Sequence, residues 1–190
     1  MSRVALRAAA LVAAVYGTFL IFAQFAFVEL LREQGAGLAA ERTALGLMAV
    51  AGILGGFWIA RRGAEPAAIR RALLVSAASA AVAPVAGGWP AWLAVALATG
   101  GALGVATVAL SALLRGWCGV AWVGVGTGLG YACCNLPCVF SQAPQVQAWI
   151  GAGFALAGAC LVPSAATWHA SSETPVSLRP SAAVALFAAL

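Results

Sequence analysis

Three thiols within six residues, Cys133, Cys134 and Cys138 of the stretch CCNLPC, form the densest group of potential ligands in this sequence. Thiolates suit soft metals such as Cu(I), so the cluster raises a metal-relay or redox role, with no Met, His or acid beside it to complete a shell. Cysteine in apolar surroundings otherwise packs as a small hydrophobe, the reading that fits Cys118 and Cys160. Glu29 is the second candidate. A carboxylate half-buried at the end of a long apolar run has a raised proton affinity and can take up a proton, while Arg32, three residues on, offers it an ion pair on the same helix face.

The remaining chemistry is that of uncharged polar groups. Tyr16, Leu20 and Gln24 share a face at four-residue spacing, and an amide at that depth needs a partner on another helix or in a cavity. Gly100, Gly104, Thr107 and Ser111 form a small, weakly polar stripe, as do Gly124, Gly128, Tyr131 and Asn135. Both stripes are read either as close helix packing or as cavity lining. Tyr16, Gln24, Thr107, Tyr131 and Asn135 are therefore the candidate cavity contacts. Pro137 ends or kinks the helix carrying the last two, its position favouring termination. No carboxylate pair and no nucleophile with its base is found at such depth, so catalysis is not expected and no cofactor is implied.

These side chains must be positioned by elements that live in lipid. Of 190 residues, 64% are hydrophobic and 8% charged, a balance unsuited to a water-facing surface. The chain has no Lys, no Asp and one His, His169, which removes a Walker phosphate loop and His-rich or Asp-rich metal centres. Charge-free runs and turn signals predict six spans, at about 8–30, 43–60, 72–86, 91–114, 117–140 and 148–168, each near the roughly 17 to 25 residues that a bilayer requires. The first is too long for the core of a signal peptide and is read as retained. Residues 1–168 are thus a six-helix bundle, 169–180 a cytoplasmic loop, and 181–190 the start of a truncated seventh span.

Arginine supplies all the basic charge, and it sits at span ends. With the N-terminus cytoplasmic, Arg3, Arg7, Arg61, Arg62, Arg70, Arg71, Arg115 and Arg179 fall inside and only Arg32 and Arg42 outside, the positive-inside pattern. Membrane topology, not nucleic acid, explains the +5 net charge. In the turn GFWIARRGAEPAAIRR, Arg61 and Arg62 meet the negative end of a helix dipole, Gly63 closes that helix, and Glu65 with Pro66 opens the next. Arg70 and Arg71 gain nothing from the dipole of their own helix, so anionic lipid or a partner must favour them.

The same turn resembles the signature loop of the major facilitator superfamily, approximately G-x-x-x-D-R-x-G-R-R between helices 2 and 3. Gly56, Arg61 and Gly63 stand at matching positions, Ala60 replaces the Asp, and Ala64 with Glu65 replaces the basic pair. Six spans, both ends inside, short outer turns and the glycine-rich GVGTGLG extend the likeness over most of the chain. No Arg precedes Arg115 in span 4, where the family often has one. The resemblance implies an all-α polytopic membrane protein of the bacterial inner membrane, the N-terminal half of a secondary transporter for a small solute. It implies Gly56, Arg61 and Gly63 as a gating loop and a second six-helix half or homodimer partner; Glu29, by its position at the span end, is the proton-coupling candidate. Two other readings stay open: a non-transporting scaffold or assembly protein, and a thiol-based soft-metal or redox membrane protein.

Overall fold

The computed structural model describes residues 3–118, 120–135 and 139–163, and these are helical apart from short connecting turns, with no strand among them. Six long helices follow one another. α1 is continuous over Arg3–Glu33, α2 covers Leu38–Arg62, α3 Pro66–Val82 with a 3-10 turn over Ala83–Val85, α4 Trp89–Trp117, α5 Val120–Asn135 and α6 Pro144–Leu161. Proline or glycine marks the turns, as lost donors and positive φ require: Pro66, Pro90 and Pro144 stand at helix starts, and Gly63 ends α2 at φ +95°.

Among the described residues, five stretches are long and apolar enough to cross a membrane: Arg3–Glu33, Leu38–Arg62, Pro66–Val85, Trp89–Leu114 and Ala121–Ser141. The helix expected as a sixth span is present as α6, but it spends part of its 18 residues on the polar opening Pro144, Gln145 and Gln147. Expected boundaries shift in physically understandable ways. α1 runs three residues past the expected end because Arg32 and Glu33 find partners beyond it. α3 begins at Pro66, the residue expected to open it, six residues before the expected apolar span, so Arg70 and Arg71 lie inside the helix. The proposed loop at 169–180, the seventh-span start at 181–190, Pro137 and Cys138 lie outside the described residues.

A π-helical stretch, Phe19–Ala26, widens α1 in its second half. Just before it, the Thr18 hydroxyl donates to the Ala14 carbonyl at 2.9 Å, adding a second donor to the ladder where the coil changes. Pairing at i to i+5 sets buried Phe22 and Phe27 five residues apart, their rings edge-on at 6.3 Å. It also breaks the expected four-residue face, leaving Tyr16 and Leu20 half-buried and Gln24 exposed.

Helix neighbours form an ordered set: α2 lies on α4, α4 on α3, α3 on α6, α6 on α1 and α1 on α5, with a smaller α1–α4 contact. Advancing every helix by three returns the same principal pairs. α1–α5 becomes α4–α2, α1–α6 becomes α4–α3, and α3–α6 and α1–α4 map onto themselves. The two outermost pairs are both parallel and both closed by glycine. A Cβ at Gly100 or Gly104 of α4 would lie 2.0 Å from the carbonyl oxygen of Met48 or Gly52 in α2, and one at Gly126 or Gly130 of α5 would lie 2.5 or 2.8 Å from that of Ala9 or Ala13 in α1. Only glycine lets backbones approach so closely. Close packing at Gly100 and Gly104 was one of two expectations for that stripe, and it is what the structure has.

Candidate functional site

Three regions carry the polar side chains. At the end where α1 finishes and α2 begins, Arg32 donates to Glu29 at 2.6 Å and to Glu41 at 2.7 Å. Glu41 is only 6% exposed, and Arg32 bridges it to the exposed Glu29. Gln34 donates to the Ala86 carbonyl at 2.9 Å and accepts from the Trp92 indole at 2.7 Å, tying α1 to the turn before α4. Gln145 donates to Glu33, and buried Gln147 donates to the Phe140 and Gln142 carbonyls, which fixes the entry to α6. Glu29, the proton-coupling candidate, thus sits in a network whose innermost acid is Glu41. Sequence reasoning passed over Glu41 and Gln34 and read Trp92 only as an interfacial aromatic at a span end; the available signal was an acid in the first turn of α2, one short loop after Arg32.

The opposite end gathers Arg3, Arg7, Arg61, Arg62, Arg70 and Arg71 with Glu65 as its acid, among the described residues. Two arginines fold back on the aromatic residues one turn earlier: Arg61 lies 4.2 Å from the centre of the Phe57 ring, and Arg62 4.9 Å from that of Trp58. Arg70 reaches across to α6 and donates to the carbonyls of Ala159 at 3.3 Å and Val162 at 3.5 Å. Lipid or a partner is therefore not needed to account for Arg70: the negative end of a neighbouring helix dipole holds it. Gly56 is buried beside Val108, and a Cβ there would meet its Cγ2 at 3.0 Å. Of the gating-loop candidates, Gly56 thus packs against α4, Gly63 closes α2 and Arg61 covers an aromatic ring.

The cavity candidates lie at the bundle's surface. Tyr16 is half-buried, its Cβ 3.2 Å from where a Cβ on Gly130 would be, so it stands at the α1–α5 contact. Tyr131 is 56% exposed on the same pair of helices. Asn135 donates to the Tyr131 carbonyl at 2.8 Å, and Gln24 is exposed with no hydrogen-bond partner among the described residues. Thr107 lies on α4, bonded to the Leu103 carbonyl at 2.7 Å. Tyr16, Tyr131 and Asn135 are brought to one helix pair, and Thr107 is held on another. Of the two readings of the α5 stripe, close packing does not hold at its glycines: Gly124 and Gly128 meet nothing within 4 Å, and α5 turns Gly126 and Gly130 to α1 instead.

Among the thiols, Cys133 is exposed and Cys134 fully buried, so neighbouring side chains point apart. No group of three metal-ligating side chains converges among the described residues. The hydroxyls of Ser76 and Thr99 are buried without a hydrogen-bond partner on α3 and α4, although a helical hydroxyl can bond to the carbonyl four residues back, as Thr107 does. Compared with protein-family models, curated proteins and solved structures, the chain matches none.

Proposed function

We propose that this chain is one six-helix half of a secondary transporter of the major facilitator type, moving a small solute across a bacterial inner membrane. Its N-terminus and basic end face the cytoplasm. The observation that carries the proposal is the helix packing that maps onto itself by a shift of three. Three helices are an odd number, so the second set runs in the opposite direction through the bilayer, the inverted repeat on which such halves are built. α2 and α5, related by the repeat, each rest on one neighbour and leave a long face open. Gln24 and Tyr131 are exposed although a membrane amide or phenol needs a partner, and Asn135, bonded to the Tyr131 carbonyl, stands beside them. In this reading that partner is the solute pathway or a second half closing over α2 and α5.

The test begins with the coding DNA after Leu190, read in all three frames. Six further apolar spans there support the half-transporter reading, and a stop with no such frame nearby removes its first premise. A second test introduces cysteine at Ile53 in α2 and Leu129 in α5, both exposed. Crosslinks from both sites to a second helical bundle support a two-bundle carrier. A monomer at native expression levels supports neither a paired half nor an assembly scaffold.

A further inference from the structure

α2 and α3 both lie on α4, yet they make no extensive contact with each other. The gap is a groove of about 250 Å³ walled by Trp58 of α2 and by Ala68, Ala72 and Val75 of α3, over a floor of Gly101, Ala102 and Val105 in α4. Its one charged lining residue is Arg71, at the basic end. Arg62 stands over the Trp58 ring at the same mouth. Neither arginine has a carboxylate within ion-pair distance among the described residues, since the ion pairs present belong to Arg32. Arg70, next in the chain, is already held by α6 carbonyls.

We propose that this groove is a binding site for one anionic phospholipid, its phosphodiester at Arg71 and Arg62 and an acyl chain along Val75, Gly101, Ala102 and Val105. The shape selects a chain: the groove is below the size of a typical small-molecule pocket, and its walls are methyl groups and glycine. The charge selects the headgroup, because two unpaired guanidinium groups at the bilayer surface attract anionic lipid, and a basic pocket between spans is a recurring lipid site. Trp58 suits the boundary between them, with its ring at the level where headgroup meets chain. The inference needs only that the chain is embedded in a bilayer and does not depend on transport.

The experiment measures lipid retained by the full-length chain after exchange into detergent containing equal phosphatidylglycerol and phosphatidylcholine, by mass spectrometry of the intact protein. The expected result is one phosphatidylglycerol held in preference to phosphatidylcholine. Arg71→Gln should weaken retention about fivefold, and Arg62→Gln with Arg71→Gln about 25-fold, from roughly a fivefold effect per surface arginine. Gly101→Leu fills the floor without changing charge; a Cβ there keeps 3.9 Å from the Ala51 carbonyl oxygen, and in a variant whose unfolding midpoint matches that of the unaltered chain retention should again fall. Arg3→Gln with Arg7→Gln removes as much charge elsewhere at the same end and should leave retention unchanged. Equal loss from that control, equal retention of the two lipids, or displacement by millimolar inorganic phosphate would overturn the proposal. Should the arginine variants misfold, the Gly101→Leu comparison with the unaltered chain decides it alone.

Discussion

At Gly100 and Gly104 the backbone of α4 meets that of α2 with no room for a methyl group. Gly104→Ala should therefore cost about 1 to 3 kcal/mol, the range for overpacking a tight contact, and lower the unfolding midpoint in detergent. Gly128→Ala, inside a helix and with open space around it, should not lower that midpoint and should, if anything, raise it. Arg70→Gln should loosen the end of α6 by about 0.3 to 1 kcal/mol, read as faster hydrogen exchange near Ala159. Cysteine labelling gives a third check: Cys133 should react with maleimide in detergent while Cys134 stays protected. Burial pushes the Cys118 thiol up, so less of it is thiolate at a given pH, and its labelling should set in at higher pH than that of an unburied cysteine.

Among the elements, α1 and α2 are held at one end by Arg32, which bridges exposed Glu29 and buried Glu41. Arg32→Ala strands the Glu41 carboxylate, so it should lower the unfolding midpoint more than Arg42→Ala, which removes an exposed arginine outside these ion pairs. Such pairings mark the limit of what was legible in the sequence. The helices and their turns could be read, because lipid demands apolar runs and Gly63, Pro66, Pro90 and Pro144 punctuate them. The faces could not. A helix in lipid has no polar side opposite its packing side, so spacing alone favoured Gly124 and Gly128 for packing where the structure uses Gly126 and Gly130. The π-helical stretch defeated the four-residue rule at Gln24, and Glu41, Trp92 and the acceptors of Arg70 are distant in sequence from what they hold. Of the candidate site, the residue types were legible from composition, while their grouping along α1 and α5 required the fold.

For the whole molecule, charge is divided between the ends. Among the described side chains, one end includes Arg3, Arg7, Arg61, Arg62, Arg70 and Arg71 with Glu65, and the other Arg32 and Arg42 with Glu29, Glu33 and Glu41. Replacing Arg61, Arg62 and Arg71 with Gln while adding arginine to the loop before α2 should invert part of the population, as read by protease access to a tag at the N-terminus. The helix order that repeats after three adds a consequence for biogenesis. A trio and its inverted copy cannot both obey the same topogenic signal, and the second trio has few of its own: α4 to α6 carry a single arginine, Arg115, with Arg179 following beyond them. Its direction must be inherited from the first trio as the chain leaves the ribosome. A nascent chain lacking α1 to α3 should then enter the membrane in both directions.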